Sequence, residues 1–202
     1  MILLALSLAV LLGSIPFGLL LTRSAGLGDI RAIGSRSIGA TNVLRTGRKG
    51  LALATLLLDG GKGAAAVLIA RAIAPNVALG PVSEWTPDLG WVCGGLAVLA
   101  HCFTPWLRGR GGKGVATAFG MVLAGYWPVF LATGAIWLAT AWQGRRSSAA
   151  ALVAFASAPL LLLLAGQRPG ALAMLLVAVL ILVTHRGNIA RLLAGTEPKI
   201  GA

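Results

Sequence analysis

Acidic side chains are scarce in this 202-residue chain, which has 5 Asp and Glu against 17 Lys and Arg, with only 2 His and 2 Cys. So few carboxylates leave a multi-carboxylate metal centre without ligands, and no metal or other cofactor is expected. Cys93 and Cys102 fall inside one apolar stretch, where they are expected to be small packed residues rather than a bridge. They leave the redox compartment open. No Gly-x-Ser-x-Gly elbow and no Cys–His pairing offers a covalent nucleophile. The Asp-rich signature of metal-dependent phosphotransferases of lipid headgroups is missing too. Charged residues make up 11% of the chain, where soluble domains carry about 25%.

What fills the chain is apolar: 57% of residues are hydrophobic and the mean hydropathy is +0.89. That excludes a disordered chain. It also excludes a soluble nucleic-acid binder, because a basic fold in water could not hide so many Leu, Ala and Val side chains. The pattern is that of an all-α, polytopic transmembrane helical bundle, a single integral membrane domain over residues 1–202. A span needs about 20 apolar residues. The first 22 residues lack a basic leader region and a clean cleavage site, so Met1–Thr22 is expected to be a span rather than a signal peptide. Leu51–Ala74, ended by Pro75 and Asn76, is the second. A linker with Pro81, Glu84 and Pro87 leads to a third over Leu89–Thr104. Basic residues precede Gly114 and follow Gln143, so this stretch is expected to cross twice, hinged at Gly125–Pro128. Ala149–Ala165 and Gly170–Thr184 complete seven. Basic residues favour the cytoplasmic side, and fourteen of the 17 fall there if the N-terminus is outside and the C-terminus cytoplasmic.

Three polar clusters share that inner side. In the loop from Asp29 to Arg45, Gly34 and Gly39 stand among Ser35, Ser37, Thr41 and Asn42, with Arg31, Arg36 and Arg45. Small residues let backbone N–H groups approach an anion, and arginine forks grip phosphate oxygens in pairs. The second is Gly111-Gly112-Lys113-Gly114 directly before a helix, whose unpaired amides suit an anion. It is no Walker A loop, since Gly114 stands where magnesium-binding Ser or Thr would. The tetrapeptide also occurs at 60–63, in different surroundings. The third cluster is His185, Asn188 and Arg191, spaced along one helix face, followed by Glu197. Ser147 and Ser148 open the sixth span, as helix caps or as further donors. Within the membrane, Asp59 and Lys62 lie three apart on one face, either a structural ion pair or part of a pathway. His101 reads as a packed, hydrogen-bonded residue. Arginine, lysine, amides and hydroxyls together suit phosphate binding, with catalysis by charge stabilisation.

With these motifs in hand, the chain resembles the bacterial membrane glycerol-3-phosphate acyltransferases that use acyl phosphate as donor. The likeness runs through Gly13–Gly18, Gly34–Ser35, Ile38–Arg45, Leu57–Asp59, Lys62–Gly63, His101–Phe103, Gly111–Thr117 and His185–Glu197. It implies seven spans with an external N-terminus in the bacterial inner membrane. It also implies transfer of a fatty acyl group to the sn-1 hydroxyl of glycerol 3-phosphate, giving lysophosphatidic acid and phosphate on the cytoplasmic face. By position, Ser35, Arg45, His185 and Asn188 match residues needed for activity, Gly111, Gly112, Lys113 and Gly114 match the glycerol-3-phosphate loop, and Glu197 matches a structural acid. Thr41, Asn42 and Ser147 are expected to add substrate contacts. The chain departs from the family's usual Gly-Ser-Gly-Asn by carrying Arg36 and Ser37. The rival expectation is a small transporter or channel for an anion or phosphorylated metabolite, suggested by Asp59 and Lys62.

Overall fold

The computed structural model describes residues 1–75, 77 and 84–200, and among these the chain is helical, with no strand. Asn76, expected to end the second span, and Pro81, expected in the linker, lie outside the described residues. Long runs of Leu, Ala and Val form helices because hydrocarbon offers no partner for a free backbone N–H or C=O. Large side chains such as Leu53, Leu57, Leu138, Trp142, Leu164 and Leu176 remain exposed. A protein in water would not display them so widely.

The first expected span is broken. α1 (Ile2–Ser14) and α2 (Phe17–Ser24) meet at a 42° bend. Pro16 is the cause, having no N–H and a ring that clashes with the preceding turn. The break frees carbonyls that distant side chains then use: Thr104 Oγ1 donates to Ser14 O (2.6 Å) and Lys62 Nζ to Ile15 O (2.8 Å). The short α3 (Ala40–Leu44) is followed by α4 (Lys49–Ile73), of 25 residues, and α5 (Leu89–Cys102), of 14. α6 (Val115–Gly125) and α7 (Trp127–Gly144) part at Tyr126, inside the expected hinge. α8 (Ser147–Leu164) and α9 (Arg168–Thr184) follow, and α10 (Arg186–Leu193) leaves α9 at 62°, with His185 at the joint.

By length and composition three helices can cross a bilayer, or five if each bent pair counts as one. α6 has 11 residues, about 16 Å of helix against a hydrocarbon core of about 30 Å. Alone it does not cross.

α1 packs on α4 and α5, α4 on α5 and α6, α5 on α9, α9 on α8, and α8 on α7. The core centres on Trp91, Met121, Phe155, Leu162 and Met174. α4 and α6 touch through backbone, since a Cβ on Gly120 would lie 1.8 Å from Gly60 O. Small residues set such close crossings where apolar burial cannot drive helices together. At the end of the bundle that holds the α6–α7 turn, Arg71 donates to Ala124 O (3.0 Å) and pairs with Asp88 (3.1 Å). Arg168 pairs with Glu84. Both basic residues at this end are thus paired with acids.

Candidate active site

The Asp29–Arg45 loop is built around Asn42, which is 1% exposed. Its amide donates to Ile30 O (2.9 Å), Ile33 O (3.2 Å) and Ser37 O (2.8 Å), while Oδ1 accepts from Ser35 N (3.0 Å) and Arg45 Nη1 (3.3 Å). The sequence offered Asn42 as a substrate contact; its amide hydrogens hold the loop instead. Arg31 leaves the phosphate-binding group as well, because it grips Asp29 through Nη2 (2.6 Å) and Nε (2.9 Å). That guanidinium holds the Asp29 carboxyl well below the usual carboxylate range. Arg36 occupies a left-handed backbone (φ 56°) where the resembled family has glycine. Such a backbone costs an L-residue about 1–2 kcal/mol. Ser37 Oγ accepts from Gly39 N (3.3 Å). Arg45 makes no ion pair among the described residues, and the Ser35 hydroxyl no hydrogen bond.

The glycine loop turns back against α5. Gly111 N donates to Cys102 O and Gly112 N to His101 O, both at 3.0 Å. These two amides, which the sequence left free for an anion, are therefore taken. The N–H groups of residues 113–117 find no backbone acceptor, and they cluster where α6 begins. Gly114 enters that helix with φ +83°, a conformation that glycine adopts without strain.

Glu197 ties the C-terminal cluster together. Its carboxylate accepts from Ser148 Oγ (2.7 Å), Asn188 Nδ2 (2.5 Å) and Arg191 Nε (2.7 Å). Arg146 Nε reaches its backbone oxygen (3.3 Å). Burial alone would raise the Glu197 carboxyl, but these three donors outweigh it and hold the group below its ordinary value. The face expected from spacing holds for Asn188 and Arg191, which meet on one acid. His185 sits apart at the bend, 2% exposed, with Nδ1 donating to Ile181 O (2.8 Å). A carbonyl can only accept, so Nε2 keeps its lone pair. Neither Ser147 nor Ser148 caps α8; Ser147 Oγ meets Thr41 Oγ1 (3.1 Å) and Ser148 serves Glu197.

These contacts bring the three clusters together. Thr41 with Ser147 joins the first loop to α8, and Thr184 Oγ1 donating to Lys113 O (3.2 Å) joins α9 to the glycine loop. Lys113 feels Glu197, Arg191 and Arg45, and His185 feels Lys113 and Glu197. Burial, helped by Arg191 and Arg45 and opposed by Glu197, brings the Lys113 ammonium down to about 8. Lys113 is thus an ammonium below about pH 8 and an amine above. If its charge holds a phosphorylated substrate, kcat/KM falls above pH 8, because that ratio follows the free enzyme. Profiles from pH 6.5 to 9.5 should show this alkaline limb. It should vanish in Lys113→Arg, which keeps its charge throughout.

Sequence reasoning paired Asp59 with Lys62 and left His101 apart, and the structure gathers all three. Lys62 Nζ lies 2.7 Å from His101 Nδ1 and 2.9 Å from Asp59 Oδ1, the latter an ion pair without hydrogen-bond alignment. Spacing linked only Asp59 to Lys62; nothing local to His101 pointed 39 residues back. No group of three metal-binding side chains occurs among the described residues.

An apolar helical bundle with arginine, lysine, hydroxyls and free amides gathered at one end is a membrane protein with a cationic cup. Residues 3–195 match the family model described as glycerol-3-phosphate acyltransferase. A glycerol-3-phosphate acyltransferase from Rhodospirillum rubrum is 55% identical over 192 residues, covering 95% of this chain and 88% of the relative. The solved glycerol 3-phosphate form of PlsY, an integral membrane glycerol 3-phosphate acyltransferase, superposes with a TM-score of 0.88 at 35% identity, covering 99% of this chain and 96% of that one. Its lysophosphatidic acid form gives 0.85 at 34% identity, covering 99% and 95%. The chain belongs to the glycerol-3-phosphate acyltransferase family and is a multi-pass membrane protein.

Proposed function

We propose that this protein transfers a fatty acyl group from acyl phosphate to the sn-1 hydroxyl of glycerol 3-phosphate at the cytoplasmic face of a bacterial inner membrane. Seven crossings fit if α1–α2, α4, α5, α6, α7, α8 and α9–α10 each count once, with the N-terminus outside. What supports the reading is that Lys113 lies within electrostatic reach of Arg45 and His185, and that neither cation has a carboxylate within ion-pair distance among the described residues. Two unmatched cations beside free amides suit two phosphorylated reactants.

In the step itself the glycerol oxygen attacks the acyl carbonyl carbon. The carbon–oxygen bond to phosphate breaks, an ester forms, and phosphate departs with the hydroxyl proton. Lys113, the amides beside it and Arg45 hold the two phosphates and offset the charge that grows on the leaving group. His185 Nε2, as an acceptor, orients the hydroxyl, and Ser35 and Asn188 complete the positioning. His185 is held by its Nδ1–H on Ile181 O and positions the hydroxyl through Nε2, while the departing phosphate takes the proton. Asp59 and Lys62 are 1% and 4% exposed and partnered, which supports packing over an ion pathway.

The test is purified protein in detergent with glycerol 3-phosphate and, in turn, acyl phosphate, acyl-CoA and acyl-carrier protein. Lysophosphatidic acid is expected from acyl phosphate, at a rate far above the other donors. Equal use of a thioester donor would overturn the donor assignment. Absence of product alongside phosphate uptake into liposomes would support a transporter.

A further inference from the structure

We infer that the buried Asp59–Lys62–His101 cluster positions the Gly111–Gly114 loop, making His101 a positioning residue for the phosphate of glycerol 3-phosphate. This rests on the reading that the loop takes that phosphate. The two Gly-Gly-Lys-Gly segments, one helical within α4 and one in the loop, meet through this histidine. Lys62 Nζ has two hydrogen-bond partners, Ile15 O at 2.8 Å and His101 Nδ1 at 2.7 Å, with Asp59 Oδ1 beside it at 2.9 Å as its ion-pair partner. An ammonium carries three hydrogens and no lone pair, so it donates to Nδ1 and the ring proton resides on Nε2.

That outer edge of the ring faces the loop. A Cβ on Gly112 would lie 2.0 Å from His101 Nε2 and 2.8 Å from Cε1, so the imidazole occupies the volume a side chain would need. The same residue's carbonyl accepts Gly112 N at 3.0 Å. Ring and backbone of His101 therefore fix the loop one residue before Lys113. Lys62 fixes the rotation of the ring, and the Pro16 break supplies the carbonyl that steadies Lys62. Stability does not explain the cluster, because well-packed apolar residues commonly replace a buried ion pair at no loss. An apolar filler would occupy the space without setting the ring's angle.

A double-mutant cycle on the full-length protein tests this, using His101→Asn and Gly112→Ala. The asparagine oxygen keeps an acceptor for Lys62 but removes the ring edge that faces Gly112. Gly112→Ala should raise the KM for glycerol 3-phosphate by roughly thirtyfold and lower the thermal midpoint, because its methyl meets a fixed ring; His101→Asn should raise KM by roughly tenfold, and kcat should change little in either. In the double variant the methyl enters the vacated space, and KM should return below that of Gly112→Ala alone. Additive effects on log KM, or losses in kcat and midpoint with KM unmoved, would overturn the inference. If His101→Asn does not fold, the paired change Asp59→Asn with Lys62→Met removes both charges together. The same KM-selective rise is expected, and an unmoved KM overturns the proposal. Lys113→Ala separates the two readings. If it leaves KM unchanged, the loop is not the phosphate site; if it raises KM while the cycle is additive, only the positioning role falls.

Discussion

Replacing Lys113 by alanine should lower kcat/KM for glycerol 3-phosphate by about 10²- to 10³-fold while leaving the thermal midpoint in detergent unchanged or higher. The magnitude is that of one preorganised donor lost from a charge-stabilising site. The direction for stability follows from the surroundings. Lys113 has Arg45 and Arg191 among its neighbours, and burial already brings its ammonium down to about 8. A cation in that position is a strain on the empty site, so its removal orphans nothing. Arg45→Ala should behave alike, losing only the 3.3 Å bond to Asn42. A structural lysine would show the opposite pattern, with a lower midpoint and activity falling in step. Full activity in either variant would remove that residue from the site.

Glu197 gives the second large effect, of another kind. In Glu197→Ala the side chains of Ser148, Asn188 and Arg191 lose their common acceptor, and two of them are buried. A loss of about 3 kcal/mol is expected from stranding buried donors. For a chain of this size that is a fall of roughly 10 °C in midpoint. Activity should fall with it, because Asn188 and the His185 bend share this anchorage. Glu197→Gln keeps an acceptor oxygen for Asn188 and Ser148 but gives up the Arg191 ion pair, and should land between. The sign with pH is fixed by the lowered carboxyl. Its contribution is present above the ordinary glutamate value of 4.5 and is lost as pH falls through its lower folded value. Thermal midpoints of the native protein should therefore decline below about pH 4 by a step missing from Glu197→Gln.

The helices were legible because hydropathy is a sum over many residues, and a single substitution hardly changes it. The hinge at Tyr126 showed through Gly125 and Pro128, and the three polar clusters showed through their concentration of glycine, hydroxyls and arginine. Breaks set by one residue were harder to see. Pro16 was visible, yet the apolar run around it outweighed one missing N–H in any length-based reading. Partnerships were hidden almost entirely. Asn42 looks like Thr41 in sequence, but one faces inward to three carbonyls while the other meets Ser147. Arg31 and Arg45 look equivalent until Asp29 is seen to claim the first. The amides of Gly111 and Gly112 seemed available because nothing local reveals the fold-back onto His101 and Cys102. Residue type thus exposed the chemistry of the cup, while the division between groups that build it and groups left free needed the folded path of the chain, whether the partner lies 2 residues away, as Asp29 does for Arg31, or 106, as Ser147 does for Thr41.

Phosphate release measured by rapid quench at enzyme-level concentrations bears most directly on direct transfer within a single cup. Acyl phosphate alone should yield no burst. Adding glycerol 3-phosphate should release one phosphate per lysophosphatidic acid formed, with both products lost together when Arg45 and Lys113 are replaced in one protein. A stoichiometric burst from the donor alone, or unchanged turnover in that double variant, would contradict it.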